Sequence, residues 1–178
     1  MVFGCFALHV FRWTKALSLP NVIGGVMTPP YGGYHQPKEN PKKEGAAPMQ
    51  SWGLTDPGCV RKQNQDAYRI EQLDRETLLG VVCDGMGGAK SGNIASTLAV
   101  EVFVEEIRRS WVKGMESDRV DQMLRSAVKL ANFTVYDQSA QFEEFDGMGT
   151  TLVAAVVRKN KATVVHVGDS RAYGINAD

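Results

Sequence analysis

Val81-Val82-Cys83-Asp84-Gly85-Met86-Gly87-Gly88 joins an apolar run to a carboxylate and then to a cluster of glycines. The run reads as a strand buried on both faces that drives into Asp84, and the glycines let the backbone turn sharply with its carbonyls open. A hard divalent cation takes oxygen donors. Here it would find an anionic one at Asp84 beside the main-chain carbonyl of Gly85, which no side chain obstructs. The same word also serves as a β-turn closing a strand. Two further segments bear on that choice: Arg61-Lys62-Gln63-Asn64-Gln65-Asp66 upstream and Val167-Gly168-Asp169-Ser170-Arg171 downstream.

Working outward, Ser51–Asp56 and Ala67–Gln72 read as short strands, and Thr77–Cys83 as the buried strand that ends at Asp84. After the glycines the period changes. Ala95, Ala99, Phe103, Ile107 and Trp111 recur every four residues with Leu98 and Val102 alongside, while Glu101, Glu105 and Arg108 take the other side. That is an amphipathic helix, with Gly114 as its stop. Ser117 or Asp118 is placed to cap a second helix that turns Val120, Leu124, Ala127, Ala131 and Val135 inward. Valine-rich segments at 150–157 and 162–167 then form a hairpin across the polar turn Arg158-Lys159-Asn160-Lys161, and Arg171–Ile175 starts another strand. Strands, two helices and strands again make an α+β order, not the strict alternation of a doubly wound sheet.

The chain of 178 residues balances 20 Lys and Arg against 20 Asp and Glu, so no global field favours nucleic acid or an anionic membrane. Cys5, Cys59 and Cys83 form no CxxC pair, and an odd number argues against a disulfide framework. Cys83 reads as a small buried hydrophobe. A reducing cytoplasm fits. Residues 1–27 are apolar but broken by Arg12, Lys15 and Pro20, so no stretch reaches the ~20 uninterrupted apolar residues of a membrane span. Residues up to Pro48 are rich in proline and glycine and read as linker. The expected organisation is a disordered or non-native extension over 1–48 and a folded domain over 49–178.

In this order, Arg61-x-x-Asn64-x-Asp66, Asp84-Gly85-Met86-Gly87-Gly88 and Gly168-Asp169-Ser170-Arg171 resemble the metal-dependent protein serine/threonine phosphatases of the type 2C class, in their bacterial branch. Trp52-Gly53-Leu54-Thr55-Asp56 and Gly149-Thr150-Thr151-Leu152 extend the resemblance, which covers 51–178. It implies two antiparallel β-sheets packed as a sandwich with helices outside, a four-layer αββα arrangement that is incomplete here at its C-terminal side. It also implies hydrolysis of phosphoserine and phosphothreonine in proteins, the substrates of a serine/threonine kinase. Such hydrolysis needs an activated water, neutralised phosphoryl oxygens and in-line alignment, and a pair of divalent cations supplies much of all three.

By the resemblance Asp84 is the carboxylate shared by two Mn²⁺ or Mg²⁺ ions, Gly85 the main-chain ligand, Asp66 a contact to metal-bound water, and Asp169 part of a third, weaker site. Arg61 holds the substrate phosphate, a role its planar, permanently charged fork suits. Each residue also has a plain structural reading: a solvated arginine at 61, a strand-edge carboxylate at 66, an Asx-turn or a pair with Arg171 at 169. Thr150 and Thr151 read as packing residues, and His166 as a hydrogen-bonded structural histidine.

Three departures stand out. Gln65 is a neutral amide where some members carry an acid. Met86 cannot protonate a leaving group as the histidine of animal-type members is thought to. The chain ends at Asp178, before two further family aspartates and a flap, so the expectation for the chain as given is weak metal binding, exposed edges at 150–157 and 162–167, and little activity. The rival reading is a non-catalytic fragment or a regulatory pseudophosphatase acting as a binding module. Nucleotide-binding readings of the glycines fail, because Ala89 precedes Lys90-Ser91 and lysine stands where the dinucleotide fingerprint needs its last small residue.

Overall fold

The computed structural model describes residues 49–57, 59 and 63–175. Strands β1 (Asp66–Asp74) and β2 (Thr77–Met86) form a hairpin, followed by helices α1 (Gly88–Ser110) and α2 (Ser117–Gln141). After a short 3₁₀ turn at Glu143–Phe145 come β3 (Gly149–Thr150), β4 (Leu152–Arg158) and β5 (Lys161–Val167). All pairings are antiparallel, in the order β1-β2-β4-β5, with β3 continuing the contact of β2 beyond β4.

The α+β class is as expected, and the described residues supply one sheet and one helical layer of the expected sandwich. Alternation along β2 and β4 turns Leu79, Val81, Cys83, Leu152, Ala154 and Val156 toward the helices, where they meet Ala95, Ala99, Phe103, Ile107, Leu124 and Ala127 in one core. Helix α1 lies on β1 and β2, while α2 packs on α1 and reaches β5. Arg108 fastens α1 to β1 through a two-pronged contact with Glu71, at 3.2 and 2.8 Å.

The ends of elements depart from expectation. Helix α1 stops at Ser110, where Trp111 turns extended and its indole N–H donates to Asp74 Oδ2 at 3.1 Å; Gly114, with φ 84°, sits in the linker beyond. Helix α2 is capped by Glu116 with no side-chain cap bond, so neither Ser117 nor Asp118 takes that role. Residues 51–56 form no strand, and their ties include side-chain bonds from Tyr68 Oη to the Gly53 carbonyl and from Asn64 Nδ2 to Thr55 Oγ1. Nor do residues 171–175 form one.

The segment 150–157 is not an exposed edge, since β4 is flanked by β2 and β5 and mostly buried. The edge at 162–167 is exposed as expected, and His166 stands open on it instead of being enclosed in an apolar strand. The expectations for 1–48 fall outside the described residues.

Candidate active site

One end of the sheet gathers the start of β1, the end of β2, the start of β4 and the exit of β5. The first of these is shaped by Asn64, whose Oδ1 accepts the Asp66 backbone N–H at 3.0 Å in an Asx-type turn, and so delivers Asp66 into β1. Asp66 is the direct cross-strand partner of Asp84. Directly opposed residues of an antiparallel pair project from the same face, so the two carboxylates rise side by side. Cys83 points into the core, hence Asp84 leaves by the face turned away from the helices, and it is exposed.

Gly85 is held by its surroundings. Its N–H donates to the Gln65 carbonyl at 3.0 Å, and the same carbonyl accepts the Ser96 hydroxyl at 2.7 Å. A Cβ built on Gly85 would lie 1.9 Å from the Gly92 carbonyl oxygen in the first turns of α1. Backbone there leaves no room for any side chain. The neutral Gln65 therefore serves by its main chain, locking strand, loop and helix together directly behind Asp84.

Thr151 joins the two halves of the site. Its backbone N–H donates to the Asp84 carbonyl at 2.9 Å, its Oγ1 accepts the Asp84 N–H at 3.0 Å, and the same Oγ1 lies 2.6 Å from Ser170 Oγ. Asp84 is thus held on both sides of its backbone by one residue, which also grips the neighbour of Asp169. Gly168 makes the approach possible: its φ is 94°, and a Cβ there would come 2.8 Å from Thr151 Cγ2. Thr151 is buried and does more than pack. Neither it nor Ser170 stood out as a site residue in the sequence, because the hydroxyls find their partners only through the pairing of distant strands.

Asp169 emerges exposed after β5, as expected of a strand-end carboxylate. Arg171 is raised above its ordinary value chiefly by a hydrogen bond to Tyr173, with Asp169 a weaker contributor, so a tight Asp169–Arg171 pair is not its main engagement. Burial pushes the Cys83 thiol, beside Asp84, up to about 12, which makes it inert as a nucleophile. Asp66 and Asp84 are brought together, and Asp169 is placed at the same end. Among the described residues no three His, Cys, Asp or Glu side chains converge into an ion-enclosing group. Arg61 lies outside the described residues.

Residues 60–178 match the family description Protein phosphatase 2C. A serine/threonine phosphatase, stp, of Listeria welshimeri is 32% identical over 120 residues, covering 67% of this chain and 47% of the relative. Protein phosphatase PhpP of Streptococcus pneumoniae is 36% identical over 123 residues, covering 66% and 47%. The chain thus spans about half the length of these curated relatives.

Among solved structures, the serine/threonine phosphatase Stp1 from Staphylococcus aureus aligns with a TM-score of 0.63 at 36% identity, over 69% of this chain and 48% of that one. The catalytic domain of the serine/threonine protein phosphatase PstP, in complex with 2 manganese ions, aligns at 0.50 and 31% identity, over 65% and 46%. With Asp66, Asp84 and Asp169 at one end of the sheet and the family match spanning residues 60–178, the chain belongs to the Protein phosphatase 2C family.

Proposed function

We propose that this segment carries the first half of the active site of an enzyme that removes phosphate from phosphoserine and phosphothreonine in proteins. The observation that carries the reading is the direct pairing of Asp66 with Asp84 at the end of β2, inside the family match. Two opposed carboxylates offer hard oxygen donors and nothing soft, the chemistry that suits Mg²⁺ or Mn²⁺ and not zinc held by thiolate. The donor set fits the cations the family implies, and the manganese of the PstP structure supports the choice. Bound there, a pair of such ions would activate water and neutralise the phosphoryl oxygens.

The chain's own residues take the remaining roles. Asp84 and the Gly85 carbonyl would hold the ions, Asp66 would orient water by accepting its hydrogen bonds, and Asp169 would serve a further, weaker site. Thr151 and Ser170 fix where Asp84 and Asp169 stand. Arg61 receives the substrate phosphate in its two-pronged fork. Phosphoproteins made by a serine/threonine kinase are the substrates, and the cytoplasm is the place. No helix among the described residues is long and apolar enough to cross a membrane.

Asp84→Asn tests the reading by keeping shape while removing charge. Added Mn²⁺ should raise the melting temperature of the wild-type chain and leave the variant nearly unmoved, since a ligand that binds only the folded state stabilises it by mass action. Phosphopeptide hydrolysis by the native enzyme should fall by orders of magnitude in the same variant. Equal manganese-induced shifts in both proteins would remove Asp84 from the metal site, and undiminished turnover would remove it from the mechanism.

A further inference from the structure

The end of the sheet away from Asp84 holds a cleft of its own. There the β1–β2 turn, the β4–β5 turn and the α1–α2 linker meet, and Asp74, Glu76, Lys113, Gly114, Arg158 and Lys159 line a space of about 190 Å³. The register brings them together. Thr77 pairs with Asp74 on one side and Arg158 on the other, so the three project from one face, the face that carries the helices. The linker then closes over them: Trp111 donates its indole N–H to Asp74, and the Met115 carbonyl accepts the Arg158 Nη1–H at 3.0 Å.

Positive charge collects here. In a chain balanced at 20 cations and 20 acids, these three connections hold Arg75, Lys113, Arg158, Lys159 and Lys161 against Asp74, Glu76 and Glu116. The acids in the cleft are already engaged. Asp74 accepts from the Trp111 indole and the Glu76 backbone N–H, and Glu76 lies 3.5 Å from Lys159 Nζ in a pair exposed on both sides and hence weak. The cations have capacity to spare. Arg158 is half-buried yet meets no carboxylate among the described residues, its one contact being the Met115 carbonyl, and Lys113 makes no ion pair among them. A guanidinium taken partly out of water ordinarily faces an anion. Lys159 stands at the cleft with φ 55°, a conformation that asparagine or glycine adopts at less cost.

We propose that this cleft binds a phosphate group, with the Arg158 fork on two of its oxygens and the ammonium groups of Lys113 and Lys159 on the others. Five cations against three acids leave a surplus of two charges, which suits a phosphate dianion better than a lone carboxylate. From Thr77 to Asp84 the strand rises roughly 23 Å, so one phosphate cannot serve both this cleft and the active site. The ligand is either the free ion or a phosphoryl group carried on a peptide.

Site-resolved amide shifts of the full chain test the proposal and separate the two sources. Titrating inorganic phosphate at constant ionic strength should move the backbone signals of Lys113, Gly114, Arg158 and Lys159 saturably, apart from any change at Gln65 or Asp84. Arg158→Gln should weaken that response at least about tenfold, and Arg158→Lys, which keeps the charge and loses the fork, should recover only part. Lys113→Gln changes an exposed side chain without an ion pair, so it should leave the melting temperature unmoved and still weaken binding. A phosphoserine peptide that saturates the same signals would assign the site to phosphoproteins, and a response to the free ion alone would assign it to inorganic phosphate. No shift at these residues with either probe would overturn the proposal. So would a response that acetate or chloride reproduces at equal ionic strength, or one indifferent to both Arg158→Gln and Lys113→Gln.

Discussion

At the scale of single residues, Thr151 is the smallest part with the widest reach. It is 2% exposed, its backbone N–H reaches the Asp84 carbonyl, and its hydroxyl meets both the Asp84 N–H and Ser170. Thr151→Val keeps volume and branching but leaves that N–H facing a methyl group. An unmade hydrogen bond to a buried backbone group costs about 1–3 kcal/mol, and the urea midpoint should fall accordingly. Thr151→Ser, which restores the hydroxyl, should recover most of the loss; a valine variant as stable as wild type would mean that the hydroxyl does not hold the strand end. The carboxylates were legible in the sequence, since Asp84 and Asp169 each follow an apolar run and a strand end must present whatever comes next. Thr151 and Ser170 were not, because a hydroxyl says nothing of its partner until β4 is known to lie beside β2 and β5.

Among the elements, α1 shows how unequal its attachments are. Phe103 and Ile107 are wholly buried against the sheet, while Arg108 grips Glu71 from a side chain that is 42% exposed. Phe103→Ala removes a ring from a close-packed site and should cost about 3–5 kcal/mol. Arg108→Ala, with better-defined hydrogen bonds but water at hand, should cost under about 1 kcal/mol. Comparative thermal melts of the two variants would check the order, and a larger loss in the arginine variant would reverse this account. The same inequality explains what could be read beforehand. The buried stripes of both helices follow from a period close to 3.6, which the residues carry themselves. Their ends do not, because α1 is halted where Trp111 reaches across to Asp74 and not where Gly114 would have stopped it. Residues 51–56 misled for a related reason: their alternation suits a strand, but Tyr68 and Asn64 engage them through side chains and no ladder forms.

For the whole molecule, acidity is the condition that probes stability globally, and Asp74 at the sheet end opposite the active site is where it acts. Burial pushes this carboxyl up. Bonds from the Glu76 backbone N–H at 2.9 Å and the Trp111 indole, with Lys113 nearby, outweigh that and hold it below its ordinary value. A carboxyl depressed in the folded state contributes stability above its unfolded pKa of about 3.9, and loses it as pH falls through the lower folded value. Asp74→Asn should therefore be less stable than wild type at neutral pH, with the gap closing below about pH 4. Denaturant titrations across that range would show it, and a gap independent of pH would assign the loss to packing. The α+β order was legible at this scale, as was the exposed edge at 162–167. The shielding of β4 was not, since strand order follows from pairing partners that no local pattern names.

The alternation of β2 has one more consequence, which concerns error. Cys83 faces the core and Asp84 the opposite side, so the strand that supplies the chemistry also supplies the packing. Sliding the strand by one residue would invert every side chain, driving the Asp84 carboxylate into the helix-facing core while Leu79 and Val81 turned outward. No partly functional misfold of this kind can persist, because the slip that spoils the site also empties the core. Accuracy of pairing at the active site is thus enforced by hydrophobic burial, and the glycine that follows makes the register stricter still. Only at position 85 can the backbone pass so close to α1, and a chain shifted by one residue would bring Asp84 or Met86 to that crossing.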